Sequence, residues 1–278
     1  MIRIEGLRKD YQGTQALQGI DLQVHQGELF AYLGPNGAGK TTTIRILAGL
    51  TRASAGRAWL NGHDIVTETL AAKKQFGLVP QHLNLDGELT VTENLLIHGL
   101  LHRLPYRTIR ARVEYLLDYV ELTEKRRALV KHLSGGMKRR LMIARALLHE
   151  PRILFLDEPS VGLDANIRRR IWALIKKIQQ GGVTIFLTTH YIEEAEFLAE
   201  RVAFLDRGRI VALDTPANLM AHLGHWAVDQ FTADNLQAHY FQSREEAQRF
   251  AAGTAASFTL RRVNLEDAFL ALTGRKVS

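Results

Sequence analysis

The chain has 278 residues, 46% of them hydrophobic and 23% charged, with 36 Lys+Arg against 29 Asp+Glu for a formal net charge of +7. These values exclude wholesale disorder and leave room for a real core; at ~150 residues per domain they suit one large domain, or a domain with an appendage. Cysteine is absent, which excludes disulfide scaffolds, cysteine zinc sites and thiol nucleophiles together. Met1-Ile2-Arg3-Ile4-Glu5 lacks a signal-peptide pattern, and no stretch approaches the ~18–20 apolar residues that span a bilayer. Any membrane role is therefore expected to come through a partner. The basic residues fall in short, scattered clusters, Lys125-Arg126-Arg127, Lys138-Arg139-Arg140, Arg168-Arg169-Arg170 and Arg261-Arg262. Such clusters read as solvated element faces rather than a nucleic-acid track, so no nucleic acid is expected.

In chain order, short alternating strands at 2–4 and 20–24, with glycine turns, open the sequence. Another at 58–60 runs into Asn61-Gly62; together they read as a small antiparallel β layer. Continuous apolar runs at 29–33, 76–79, 153–156, 183–187 and 202–205 alternate with helical patterns, the signature of a parallel sheet buried on both faces. Residues from about 82 to 132 break this rhythm and read as helical throughout. There Thr90-Val91-Thr92-Glu93 forms a capping box opening a helix at 94–104 that Pro105 stops, and a second helix follows at 108–122. Thr215-Pro216 starts a short helix ending near Gly224. Beyond it lie a strand at 226–231, a helix capped by Ser243 and closed by Gly253, a strand at 257–263 and a terminal helix at 264–272. The expected organisation is α/β: a main domain at 1–224 with a helical subdomain about 82–150, and an α+β appendage at 225–278.

Gly34-Pro35-Asn36-Gly37-Ala38-Gly39-Lys40-Thr41 matches G-x-x-x-x-G-K-[ST] between a predicted strand and a helix expected at 41–48, with Thr42 following. Its glycines let backbone N–H groups curl around phosphate oxygens, and the helix N-terminus adds partial positive charge. Lys40 is placed for the β/γ-phosphates and the Thr41 hydroxyl for Mg²⁺. The 153–156 strand ends in Asp157-Glu158, where ligand sites of open parallel sheets lie. Asp157 is placed to hold Mg²⁺, and Glu158 to accept a proton from an attacking water. His190 ends the next strand and Gln81 ends the 76–80 run; the Gln81 amide suits both Mg²⁺ and water. Leu133-Ser134-Gly135-Gly136-Met137 is a second small-residue turn, opening a helix expected at 137–149 whose first turn carries Lys138, Arg139 and Arg140. Cations there oppose the helix dipole, so an anion held by another copy of the chain would relieve them.

The order of these motifs (34–41, Gln81, 133–136, 153–158, Gly162-Leu163-Asp164, His190) resembles the ATP-binding cassette (ABC) ATPases, P-loop NTPases with a RecA-like parallel core, over residues 1 to about 220. The resemblance implies that Tyr11 stacks on adenine. It implies that Ser134, Gly135 and Gly136 meet the γ-phosphate of ATP on the opposite subunit, with Asp164 in the loop that crosses the interface. Gln81 would couple the site to an integral membrane permease subunit through the helical insertion. Met137 stands where many cassettes have glutamine. The stretches 133–141, 188–196 and 265–274 resemble separate ATPase subunits of exporters, similar to daunorubicin-resistance and nodulation-factor export ATPases, at the cytoplasmic face of the inner membrane. The competing readings are an importer ATPase and a soluble cassette of DNA repair or the ribosome, which usually carries two cassettes or a long coiled coil.

Overall fold

The computed structural model describes residues 1–232, 235–253 and 256–274. Its central sheet has the spatial order Arg209–Asp214, Arg201–Asp206, Leu29–Leu33, Thr184–Thr189, Ile153–Asp157, Phe76–Val79. All neighbours are parallel except the edge strand Arg209–Asp214, which folds back through Arg207-Gly208. Every residue of Leu29–Leu33, Ile153–Asp157 and Thr184–Thr189 is buried, as continuous apolar runs require when helices cover both faces. Phe186 packs against Phe30 and Phe155 with ring centroids 5.5 and 5.9 Å apart, locking three strands side by side. The register sets Leu33 opposite Thr189, Asp157 opposite Thr188, and Val79 opposite Leu156. Four strand ends therefore emerge at one edge, carrying Gly34, Gln81, Glu158 and His190.

The antiparallel layer is larger than the sequence pattern indicated. Ile2–Tyr11 and Thr14–Val24 form a long hairpin, with Ala55–Leu60 and His63–Asp64 beyond it. Register shifts interrupt the pairing of the first two strands between Ile4 and Leu7, so the two-residue alternation is lost just where a longer strand would have been recognised.

The helical segment contains Val91–Leu101, Tyr106–Tyr119 and Gly135–Leu147. The Thr90–Glu93 capping box is present, and the helix starts at once, at Val91. Pro105 N-caps the next helix. Residues 82–90 are not helical, a departure from the expected helical character of the whole segment from about 82 to 132. Asn94 accounts for it: buried in the helix, it accepts from the Asp86 amide and donates to the Asp86 carbonyl, both at 3.0 Å, holding the approach extended.

Near the C-terminus, Asn235–Phe241, Trp226–Thr232 and Ser257–Arg262 form an antiparallel sheet under the helix Arg244–Ala252. The strand Asn235–Phe241 had no clear sequence signal. The last helix, Leu265–Thr273, was expected with this appendage, yet its apolar face joins the main sheet. Leu265, Ala268 and Phe269 pack with Ala31, Leu33, Val202 and Phe204, and the Phe269 ring meets Phe204 edge-on at 5.2 Å. Arg261 clasps Asp229 on one side and Asp267 on the other, at 2.6–3.0 Å, joining sheet to helix. Positions 275–278 of the expected appendage lie outside the described residues. Phe269→Ala should cost ~3–5 kcal/mol by leaving a cavity on the main sheet; thermal denaturation should show one lowered transition rather than loss of a separate C-terminal unit.

Candidate functional site

The loop 34–39 joins Leu29–Leu33 to the helix Lys40–Leu47, which starts one residue earlier than the sequence suggested. Gly37 and Gly39 have φ of +79° and +110°, where a side chain would be strained. A Cβ on Gly34 would sit 2.2 Å from the Leu205 carbonyl oxygen, so the loop is pressed against the neighbouring strand. Above it lies an open cleft of about 260 Å³ lined by Asn36, Gly37, Lys40, Thr42, Gln81 and Glu158 among others.

Lys40 is 4% exposed. Its Nζ donates to the carbonyls of Gly34 at 2.7 Å and Pro35 at 3.1 Å, and lies 3.3 Å from Glu158 Oε1. Burial pulls its pKa below the ordinary lysine value, against the opposing pull of Glu158 and Asp157. The second Glu158 oxygen accepts from Gln81 Nε2 at 3.0 Å, with His190 Nδ1 at 3.1 Å. Glu158 itself has φ of +49°, a costly conformation for a residue with a long side chain. Its amide donates to the Thr188 carbonyl at 3.0 Å, which holds the turn in place. Asp157 accepts from Thr188 Oγ1 at 2.6 Å and from Thr41 Oγ1 at 3.2 Å. Burial nevertheless lifts its carboxyl above the usual range.

Six of the expected residues thus converge: Lys40, Thr41, Gln81, Asp157, Glu158 and His190. The loop residues 34–39 and Thr42 surround them, with Asn36, Gly37, Gly39 and Thr42 lining the cleft, whereas Ser134, Gly135, Gly136, Asp164 and Tyr11 lie elsewhere. Ser134 N-caps Gly135–Leu147, accepting from the Met137 amide at 3.3 Å, and Ser134 and Gly135 are exposed. Gly136 is buried, and a Cβ there would lie 2.5 Å from Ile167 Cγ2. Met137 is partly buried against the core. Asp164 is exposed and caps Ala165–Gln180 through the Ile167 amide at 2.9 Å. Tyr11 ends the N-terminal hairpin, 42% exposed, with the Lys9 ammonium 4.7 Å from its ring centroid.

The basic cluster 138–140 does not form the phosphate-facing patch its sequence suggested. Arg139 turns inward and donates to the carbonyls of Pro80 at 2.9 Å and Gln81 at 3.0 Å. Arg140 donates to the Val120 carbonyl at 2.9 Å and to Glu121 at 3.0 Å. Peptide oxygens beyond the 76–79 strand take up Arg139, and those at the end of the helix Tyr106–Tyr119 take up Arg140. Arg139 is therefore a positioning residue for Gln81 that read as surface charge. Glu194 escaped notice too. It is fully buried, accepting from Trp172 Nε1 at 2.8 Å and from the Ser160 hydroxyl just beyond Glu158, and burial pushes its carboxyl up.

Residues 17–161 match the family model described as ABC transporter. The chain belongs to the ABC transporter family. It is 44% identical over 82% of its length to 72% of the daunorubicin resistance ATP-binding protein DrrA3 of Streptomyces coeruleorubidus. It is 39% identical over its whole length to 95% of the Nod factor export ATP-binding protein I of Ralstonia nicotianae. Among solved structures, cbiO1 of Clostridium perfringens, described as part of the ABC transporter complex cbiONQ, superimposes with a TM-score of 0.73. The match is 30% identical and covers 79% of this chain and 90% of that one. The dimeric MJ0796, a bacterial ABC transporter cassette, gives 0.70 at 28% identity, covering 77% and 98%. The P-loop NTPase fold and ATP hydrolysis expected from the motifs follow from this membership.

Two outcomes test the site. A carboxyl whose folded pKa is raised favours folding only while protonated, and that contribution is lost as pH rises through the folded value. Nucleotide-free Asp157→Asn should therefore melt higher than the parent at neutral pH, the gap closing toward acid pH; Tm measured against pH checks it. Glu194→Ala, which leaves the buried Ser160 hydroxyl without its acceptor and Trp172 Nε1 with only Ser160 Oγ, should cost about 1–3 kcal/mol in denaturant unfolding, whereas Glu194→Gln, keeping an acceptor, should cost less than ~1 kcal/mol.

Proposed function

We propose that this chain is the ATP-hydrolysing subunit of an exporter, working as a pair of copies that hold two ATP molecules between them. The observation that carries the reading is the convergence of Lys40, Gln81 and His190 on Glu158. In-line attack of water on a γ-phosphate needs a base, a positive clamp and groups that orient the phosphate. Glu158 is the base and Lys40 the clamp; Gln81 and His190 orient water and phosphate. Phosphate oxygens take over the Lys40 ammonium on binding, which frees Glu158 to meet the water. Asp157, Thr41 and Gln81 fit a magnesium ion: burial raises the pKa of the Asp157 carboxyl, which a bound cation would offset, and the Thr41 hydroxyl is beside it. Magnesium supplies charge neutralisation at the phosphates.

Exposed Ser134, Gly135 and Asp164 suit contact with the nucleotide on the second copy, Gly136 acts by letting their two helices approach, and exposed Tyr11 suits adenine. Leu83, Ile97, Leu100 and Leu101 are exposed on the helical segment next to Gln81, an apolar surface fitted to an integral permease subunit. No helix among the described residues is long and apolar enough to cross a membrane, so attachment at the cytoplasmic face of the inner membrane runs through that partner. Relatives named for daunorubicin resistance, linearmycin resistance and Nod factor export support efflux of a drug-, lipid- or polysaccharide-type molecule.

Glu158→Gln should lower ATP turnover by about 10²–10⁴-fold while ATP binding persists and the two-copy complex accumulates; near-normal turnover would remove Glu158 from its role. Purification from detergent-solubilised membranes should recover an integral subunit alongside the chain. Recovery only from the soluble fraction, or with ribosomes or DNA, would overturn the exporter reading.

A further inference from the structure

Away from the nucleotide cleft, His98, His102 and His149 bring three imidazole nitrogens within 4.8 Å of one another. His98 lies in the helix Val91–Leu101, His102 caps its C-terminus, and His149 follows the helix Gly135–Leu147. His149 Nε2 is 2.9 Å from the Phe76 carbonyl oxygen. A carbonyl only accepts, so Nε2 carries the proton and Nδ1 keeps the lone pair. That Nδ1 is buried and has no hydrogen-bond partner. A carbonyl fixing the tautomer while the other ring nitrogen is presented is the arrangement found behind metal-bound histidines.

We propose that His98, His102 and His149 form a binding site for a divalent transition cation of the zinc class, with three neutral imidazoles and a fourth position open to water. Nitrogen-only donors favour such borderline ions over magnesium or calcium, which prefer oxygen. Zn–N bonds of about 2.0–2.1 Å require the three nitrogens to draw together. The His102 ring is stacked on His149, centroids 4.0 Å apart and planes 14° from parallel. Lone pairs lie in the ring planes, so metal entry turns His102 off that stack. Its exposed position at the helix end allows the turn. Burial already holds His98 and His149 in the neutral, ligand-ready form. Arg145 hydrogen-bonds Asn84, and Arg112 pairs with Glu150 and the Leu147 carbonyl; their charges also favour the neutral imidazoles of His98 and His149. An ion here would staple the end of Val91–Leu101 to the segment that enters the Ile153–Asp157 strand.

Titrating the untagged, metal-stripped full chain with zinc, without nucleotide, tests the site independently of ATP hydrolysis. The wild type should bind one equivalent by calorimetry and gain about 5 °C in Tm at zinc concentrations ~100 times Kd. His102→Ala, at an exposed position, should weaken binding at least tenfold with unchanged circular dichroism; His149→Gln should do the same. Failure of the wild type to bind zinc, or binding undiminished in His102→Ala, would overturn the proposal by placing any zinc at other histidines.

Discussion

At the carboxyl edge of the central sheet, a lysine and a glutamate share a space that water scarcely reaches, and the surrounding chemistry is arranged by that pairing. An isolated buried charge of either sign would be expensive; each is tolerable because the other is there. The loop carbonyls on Lys40 and the amide of Gln81 on Glu158 complete their coordination. The pair therefore draws together three strand ends that are distant in sequence. It also explains why Glu158 is held in a left-handed backbone conformation, since a residue continuing the strand there would send its side chain to one face of the sheet rather than over the edge toward Lys40.

Around this centre, the helical segment is attached by few but directional contacts. Arg139 reaches back from its helix to the carbonyls of Pro80 and Gln81, so any tilt of the helix is felt at the amide facing Glu158. At the start of the same helix, Gly136 permits close contact with Ile167, coupling Ser134 to the loop that bears Asp164. The helix is thus a rigid link between the cleft and the exposed turns that carry Ser134 and Asp164.

Much of this was legible in the sequence because strand ends in a parallel sheet carry their functional side chains in fixed places. The apolar runs located the strands, and the polar residues that end them, Gln81, Asp157, Glu158 and His190, are brought together at one sheet edge. Side-chain direction on helices was less legible. Lys138-Arg139-Arg140 read as one basic patch, but successive helix residues point about 100° apart, and the carbonyls that claim Arg139 belong to another element. Glu194 was illegible for a related reason: nothing local distinguishes it from its neighbours Glu193 and Glu196, and only the tertiary fold buries it with Trp172 and Ser160. The long N-terminal hairpin was obscured by its irregular register, whereas Asn235–Phe241 alternates polar and apolar residues as an edge strand does but contains no β-branched residue to mark it.

The packing of Leu265–Thr273 on the main sheet bears on how the molecule is made. Ala31 and Leu33 pack with Phe269, which lies far downstream of them in the chain. During translation that part of the sheet's apolar face waits for Leu265–Thr273 to emerge from the ribosome, so the core cannot close in the order in which it is built. Such an open face is prone to association with other chains. Termination before Leu265 would consequently leave the central sheet with part of its hydrophobic flank uncovered, although the glycine-rich loop and the Asp157-Glu158 strand end lie well upstream of the missing piece.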